Sequence, residues 1–210
     1  SVFDSATSCR QRCSALDIKL IFQVTSCNNI SKCQRRSATA RHVVDRYITR
    51  EPLGVVLTVA PWNYPFLTAV NSVVPALMAG NTVILKHAAQ TLLVGERFQK
   101  AADMAGFPAG LFRNLALSHD QTSQLIGSRT VDMVCFTGSV EAGKVIEGAA
   151  SGGFINVGLE LGGKDPAYVR ADANLDYAVE NLVDGAFFNS GQSCCGIERI
   201  YVHESLFDAF

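Results

Sequence analysis

Three short segments carry side chains of the kinds that do chemistry. In Gly191-Gln192-Ser193-Cys194-Cys195, two thiols sit in a glycine-bearing loop between an apolar helical stretch and a strand, a position from which a side chain reaches a cleft. A thiolate there is a nucleophile; a small buried filler is the other role that such a cysteine fits. Glu160 lies inside the apolar run Val157-Gly158-Leu159-Glu160-Leu161. A carboxylate among such neighbours is the usual setting of a general base, and strict alternation along a half-buried strand would instead turn it outward. In the third segment Cys135-Phe136 runs into Thr137-Gly138-Ser139-Val140-Glu141-Ala142-Gly143, a glycine-bearing turn at the start of a helix. Free N–H groups and the helix dipole attract anions there, and Gly138 lets backbone approach a pyrophosphate. The segment is not G-x-G-x-x-G, and an ordinary strand-to-helix turn with Ser139 as N-cap fits the same residues.

The elements that would position these residues alternate between strand and helix. From Arg50 onward, apolar runs of strand length alternate with longer helical patterns, separated by Gly, Pro or Asn. Gly54–Ala60 reads as a buried strand opening into the turn Pro61-Trp62-Asn63-Tyr64-Pro65, and Ala69–Met78 as a helix closing on Gly80. Thr82–Lys86, Leu111–Leu115, Val131–Phe136, Phe154–Leu161, Pro166–Val169 and Arg199–Val202 are the further predicted strands. Thr91–Ala105, Asp120–Ile126 with Asp120 as cap, Ser139–Ala149, Leu175–Phe188 and a helix opening at Glu204 are the predicted helices. Ser1 to about Arg46 shows no sustained period of 2 or 3.6 and is expected to be poorly ordered.

Composition narrows the class. With 48% hydrophobic and 18% charged residues and a net charge of -1, the chain has neither the basic excess of a nucleic-acid binder nor the composition of a disordered one. Its apolar runs are shorter than a membrane helix needs, so a cytoplasmic protein is expected, with a mitochondrial one still open. Seven cysteines, an odd number without a compact framework, do not suggest a disulfide scaffold. Cys9, Cys13, Cys27 and Cys33 match no common zinc spacing, and no metal site is expected.

P-W-N-Y-P at 61–65, F-T-G-S at 136–139, E-L-G-G-K at 160–164 and G-Q-S-C at 191–194 occur in one order. In this the stretch from Arg50 to Phe210 resembles the aldehyde dehydrogenase superfamily, and four motifs in register are far more specific than any one. Leu85-Lys86-His87-Ala88 and Cys195-Gly196-Ile197-Glu198-Arg199 look more like its semialdehyde and broad-specificity branch. The resemblance implies an α/β fold: a partial doubly wound parallel sheet, the Rossmann-like cofactor domain, followed by the beginning of the catalytic domain. Residues 1–48 stay unassigned, 49–161 would form the NAD(P)-binding core and 162–210 the first part of the catalytic domain. The implied function is oxidation of an aldehyde to a carboxylic acid with NAD or NADP. Cys194 matches the nucleophile, Asn63 and the backbone N–H of Cys194 the oxyanion donors, and Glu160 the base that activates water. Lys86 would lie on the adenosine ribose, Trp62 and Ser139 near the pyrophosphate, and Gly138 and Gly143 at the approaching turn and helix. Where many strict NAD users carry an acidic residue three places after that lysine, this chain has Ala89, so a 2′-phosphate meets no repelling carboxylate.

Members of the family are roughly twice this length and commonly homo-oligomeric, and a later E-x-F-G-P segment is absent from the 210 residues. The expectation is therefore little turnover from these residues alone. A non-catalytic remnant that at most binds a nucleotide or a partner chain is the alternative. A thiol hydrolase using Cys194 and His203 is a third reading, for which the spacing offers no support.

Overall fold

The structure, a computed structural model, describes residues 49–210. The expectation of disorder over Ser1–Arg46 lies outside the described residues. Five strands form one parallel sheet: β1 (Val55–Ala60), β2 (Thr82–His87), β3 (Phe112–Asn114), β4 (Met133–Thr137) and β5 (Asn156–Glu160), in the order β3-β2-β1-β4-β5. The helices α1 (Pro65–Met78), α2 (Leu92–Met104), α3 (His119–Gly127) and α4 (Val140–Ala150) connect them.

β1 is bonded to β2 from Val55 against Thr82 to Ala60 against His87, and to β4 from Val56 against Met133 to Val59 against Phe136. Its side chains alternate between two cores. Val56 and Ala60 pack with Ala69, Val73, Val83, Leu85, Ala102 and Phe112 under α1 and α2. Leu57 and Val59 pack with Ile126, Val131, Val134, Phe136, Ile146 and Ala150 under α3 and α4. A strand covered on both faces must be apolar at nearly every position, which is why β1 and β2 read as continuous runs rather than as alternation. Burial of both faces also forces the chain to change sides of the sheet at β1, the switch point outside which doubly wound sheets leave a crevice.

Beyond β5, β6 (Asp165–Val169) and β7 (Ile197–Val202) pair in parallel as a separate two-stranded sheet, joined by α5 (Leu175–Phe187). Gly185 lets α5 lie close on β7, since a Cβ there would come within 2.6 Å of the Ile197 side chain.

The strand and helix pattern expected from periodicity is present, with three instructive differences. α1 starts at Pro65 rather than Ala69, because the fixed φ of proline suits the first helical position and its missing N–H would be unsatisfied there anyway. α3 is capped by Ser118, not Asp120. The Ser118 hydroxyl accepts from Gln121 N at 3.1 Å, and Gln121 Oε1 accepts from Ser118 N at 2.9 Å, a reciprocal capping box that satisfies two otherwise orphaned donors. The segment from Glu204 forms only a 3₁₀ turn, Glu204–Leu206, as the cost of helix nucleation leads one to expect for so short a piece.

The entry to β1 is held by one buried side chain. Asn81 accepts from Leu53 N at 2.6 Å and from Gly54 N at 3.0 Å, and its amide donates to Ala76 O at 3.0 Å. One residue thereby ties the start of β1 to the end of α1 just ahead of β2. Asn81→Ala leaves two backbone N–H groups without a partner and is expected to lower unfolding free energy by about 2–3 kcal/mol, measured as a shifted urea midpoint with unchanged slope. An unshifted midpoint would show that water replaces the amide at no cost.

Candidate active site

The site is assembled from loops that leave the carboxyl ends of β1, β4 and β5 and meet the loop between α5 and β7. β1 ends at Ala60, and Pro61 stops it because proline cannot donate to the ladder. The half-buried Asn63 that follows reaches the thiol loop directly: its side-chain amide donates to Gln192 O at 3.0 Å. Asn189 returns the contact, donating from Nδ2 to Asn63 O and to Gln192 O, each at 3.3 Å. Asn63 and the residues flanking Cys194 thus form one hydrogen-bonded cluster although far apart in sequence. Trp62 stands beside it, 46% exposed.

The thiol loop has an unusual backbone. Asn189, Ser190 and Gly191 follow one another in the left-handed region, with φ of 52°, 58° and 73°. Glycine takes that conformation freely and asparagine tolerates it, whereas at Ser190 it costs about 1 kcal/mol or more and persists only where surrounding contacts impose it. The bonds from Asn189 to Asn63 and Gln192 are those contacts. Cys194 and Cys195 are free and exposed. The Cys195 thiol pairs with the Ser193 hydroxyl at 3.2 Å, which leaves Cys194 as the thiol of this loop without a side-chain partner among the described residues.

The E-L-G-G-K segment abuts the same loop. A Cβ on Gly163 would come within 2.6 Å of Cys194 O, so only glycine allows this close backbone approach. Lys164 pairs with Glu198 on β7. Glu160, at the end of β5, is next to the T-G-S turn: Thr137 and Glu160 are partners in the ladder, and Gly138 N donates to Glu160 O at 3.0 Å. Its side chain does not sit in an apolar setting. Residues of β5 alternate between exposed and half-buried, and Glu160 falls on the exposed side, so alternation, not the apolar neighbours in sequence, governs where it points.

The expected phosphate turn also proves more structural than its glycines suggested. Ser139 caps α4, its hydroxyl accepting from Ala142 N at 3.2 Å. A side chain on Gly138 would strike the Phe136 ring at 2.6 Å, and one on buried Gly143 would strike the Leu161 side chain at 2.7 Å. Gly143 is therefore required for close packing of α4. The turn still lies at the carboxyl end of β4, beside the Pro61–Pro65 turn that follows β1.

An open pocket of about 360 Å³ lies at the carboxyl ends of β2 and β3, lined by Lys86, His87, Ala89, Leu92, Ser118 and His119 among others. Lys86 is 6% and His87 1% exposed. Burial lowers the Lys86 ammonium below its ordinary value, and burial together with the neighbouring Lys86 charge lowers the His87 imidazole. His87 Nδ1 lies 3.5 Å from the Thr91 hydroxyl, while Nε2 is buried with no partner. Ser118 and His119 were not singled out by motif; the S-x-x-Q capping pattern was the signal that would have located them at a helix start beside this pocket. Gly163 stands in the E-L-G-G-K motif, but its role, like those of Asn189 and Asn81, is defined by contacts with distant backbone that the sequence does not show.

His203 does not support thiol hydrolase chemistry with Cys194. Its Nδ1 accepts from Ser205 N at 3.2 Å and pairs with the Ser205 hydroxyl at 3.0 Å, capping the Glu204–Leu206 turn. Cys135, half-buried on β4, has its thiol pushed up by desolvation, which disfavours the thiolate. Among the described residues no cluster of His, Cys, Asp and Glu could hold a metal ion, and no helix is long and apolar enough to cross a membrane.

The family model for the aldehyde dehydrogenase family matches residues 17–210. The chain belongs to the aldehyde dehydrogenase family. The match begins upstream of Arg50, where the motif resemblance starts, so the family's sequence pattern extends into the stretch left unassigned above. Betaine aldehyde dehydrogenase of Bacillus subtilis (strain 168) is 41% identical over 165 residues, which are 78% of this chain and 34% of that protein. Lactaldehyde dehydrogenase of Escherichia coli (strain K12) is 42% identical over 163 residues, 77% of this chain and 34% of that one. Among solved structures, betaine aldehyde dehydrogenase from Staphylococcus aureus in complex with NAD+ aligns with a TM-score of 0.73 at 36% identity, covering 76% of this chain and 32% of the other. The chain spans about a third of the length of the curated relatives it matches.

Two outcomes are expected from this geometry. Gly163→Ala should displace the Cys194 backbone and slow alkylation of Cys194 by iodoacetamide, read by peptide mass mapping, with the circular dichroism spectrum unchanged; an unaltered rate would mean that the two loops part without consequence. His87 gives an acid-sensitive component of stability. Its folded-state pKa lies below its ordinary 6.5, so as pH falls through 6.5 the unfolded chain takes up the proton first and stability declines. The urea midpoint should fall on going from pH 7 to pH 5, and His87→Gln should flatten part of that decline.

Proposed function

We propose that the chain is the central part of an NAD(P)-dependent aldehyde dehydrogenase that oxidises an aldehyde to a carboxylic acid. Residues 49–161 would serve as the cofactor-binding unit and residues 162–210 as the start of the catalytic one. The observation that carries the reading is the Asn63 amide bonded to the backbone of the Cys194 loop at 3.0 Å.

The chemistry follows from the residues. The Cys194 thiolate adds to the aldehyde carbonyl carbon, forming a C–S bond and leaving charge on the oxygen. An amide nitrogen carries two hydrogens, and Asn63 uses one on Gln192 O, so the second is free for that oxyanion together with the Cys194 backbone N–H. Because Asn189 and Gln192 hold Asn63 in place before substrate arrives, the donor needs no reorganisation when charge develops. Once that carbon has given up its hydride, as the oxyanion collapses to a carbonyl, Cys194 carries a thioester; Glu160 takes a proton from the water that opens it, and the acid departs as the thiolate is restored.

The residues present fit a dinucleotide. Buried Lys86 has no hydrogen-bond or ion-pair partner among the described residues and lines a pocket with His87. The T-G-S turn opens α4 at the neighbouring strand end, where the helix N-terminus favours phosphate. Lys86 would hold the adenosine ribose, and Trp62, Gly138, Ser139 and the first turn of α4, packed in place through Gly143, would hold the pyrophosphate. A nicotinamide bound there would supply the hydride acceptor.

In the protein at its natural length, Cys194→Ala should abolish NAD(P)H formation with short aldehydes while Cys195→Ala retains most of it. Asn63→Ala should cost about 100- to 1,000-fold in kcat. Glu160→Gln should trap an acyl-enzyme, visible as a mass increase on the Cys194 peptide. Full turnover by Cys194→Ala would end the assignment.

A further inference from the structure

The two segments proposed to carry reacting groups, Glu160-Leu161-Gly162-Gly163-Lys164 and Cys194-Cys195-Gly196-Ile197-Glu198, end on charges of opposite sign. Lys164 and Glu198 form an ion pair that joins them. The backbone explains why they meet. β6 and β7 are in register at Asp165 against Ile197, and the next pair is Pro166 against Arg199, which leaves Glu198 as an extra residue on β7. Pro166 suits this place, because it has no N–H to give to the ladder and proline within sheets is confined to edges, strand starts and bulges. A bulge re-aims a side chain, and here the Glu198 carboxylate accepts from the Lys164 ammonium. One residue earlier, Gly163 passes so close to Cys194 O that a Cβ would come within 2.6 Å. The ion pair therefore fastens the point at which the two segments touch.

The two reacting residues are otherwise held in different ways. The Cys194 loop is tied to Asn63 from its upstream side, through Gln192 O and Asn189. Those bonds do not include the Glu160 segment. Glu160 is exposed, and among the described residues no hydrogen bond or ion pair holds its carboxylate, so its reach is set by its backbone. Resting on the mechanism proposed above, we propose that Lys164 and Glu198 are positioning residues for the second half of the reaction. Their ion pair holds the Glu160 segment at its distance from the acylated Cys194, and neither side chain touches the reacting atoms. The two side chains are 61% and 47% exposed, and such a pair adds little to stability. Placement is the finer requirement, because a water must fit between the base and the thioester carbon. Addition of the thiolate, which draws on Asn63, is then indifferent to the pair, whereas hydrolysis, which draws on Glu160, is not.

The test separates the two halves without a cofactor. In the protein at its natural length, p-nitrophenyl acetate acylates Cys194: the thiolate forms a C–S bond to the acetyl carbon and nitrophenolate leaves. Water then opens the thioester, giving acetate and the thiolate, with the proton passing to Glu160. The nitrophenolate burst reports the first step, and intact mass reports the lifetime of the acetyl group on Cys194. Lys164→Met and Glu198→Gln should each lengthen that lifetime about fivefold, with burst rate and thermal melt at wild-type values. The charge-exchanged double variant, Lys164→Glu with Glu198→Lys, should recover most of the loss, and Lys164→Arg should show almost none. Because salt screens an exposed pair, raising ionic strength from about 0.05 to about 0.5 M should lengthen the wild-type lifetime and leave that of Lys164→Met unchanged. Unchanged lifetimes in both single variants, no recovery on exchange, or a burst slowed in step with hydrolysis would each overturn the positioning role. A melt lowered along with both rates would make the pair merely structural and overturn it as well. Failure of the mechanism itself reads differently: Cys194 takes up no acetyl group, or Glu160→Gln sheds it at the wild-type rate, and the role of the pair falls with it.

Discussion

The parallel pairing of β1 on both edges is the constraint from which the rest follows. With β2 on one side and β4 on the other, and helices over both faces, β1 has no exposed edge and no exposed face. Its only outlet is its carboxyl end, and the chain there must leave in a turn. Everything with chemical potential is at that level of the sheet: the Pro61–Pro65 turn after β1, Lys86 and His87 at the end of β2, the T-G-S turn after β4 and Glu160 at the end of β5. Parallel strands place all their carboxyl ends on one side, so residues distant in sequence share an edge without any contact having to bring them together one by one.

Onto this edge the second sheet is fastened by small, directional contacts rather than by bulk burial. α5 has no buried residue. The connection runs through the Asn63–Gln192 and Asn189–Asn63 hydrogen bonds and the close passage of Gly163 against Cys194 O. Such contacts are worth about 1 kcal/mol each net, but they are precise in direction. They set where the Cys194 loop stands relative to the Asn63 amide, and the roles proposed for the two residues would need that accuracy more than strength. The left-handed run Asn189–Gly191 is the conformational cost of holding the loop in that pose.

Charge is arranged with the same economy. The described residues contain three ion pairs, Lys144–Glu141, Lys164–Glu198 and Arg170–Asp172, all well exposed and each of small consequence for stability. The unpaired buried cation, Lys86, is at the pocket instead. Burying Lys86 and His87 at that point costs folding energy, which the lowered pKa of each reflects.

How much of this was legible in the sequence depends on the range of the interaction. The parallel α/β architecture could be read because burial on both faces writes itself locally, as apolar runs of strand length separated by turn residues, and because Ser139 and the start of α4 obey short-range capping rules. The motif residues Asn63, Lys86, Glu160 and Cys194 could be named for the same reason: their types and order are properties of the string. The exposure of Glu160 was decided by β5 pairing, which sets alternation for a whole strand and overrides the apolar neighbours in sequence. The need for glycine at 143 and 163, the bond from Asn63 to Gln192 and the unanswered charge of Lys86 were decided by tertiary structure alone. Each depends on which backbone or side chain arrives from a distant segment, and a linear pattern carries no record of how closely two segments will approach.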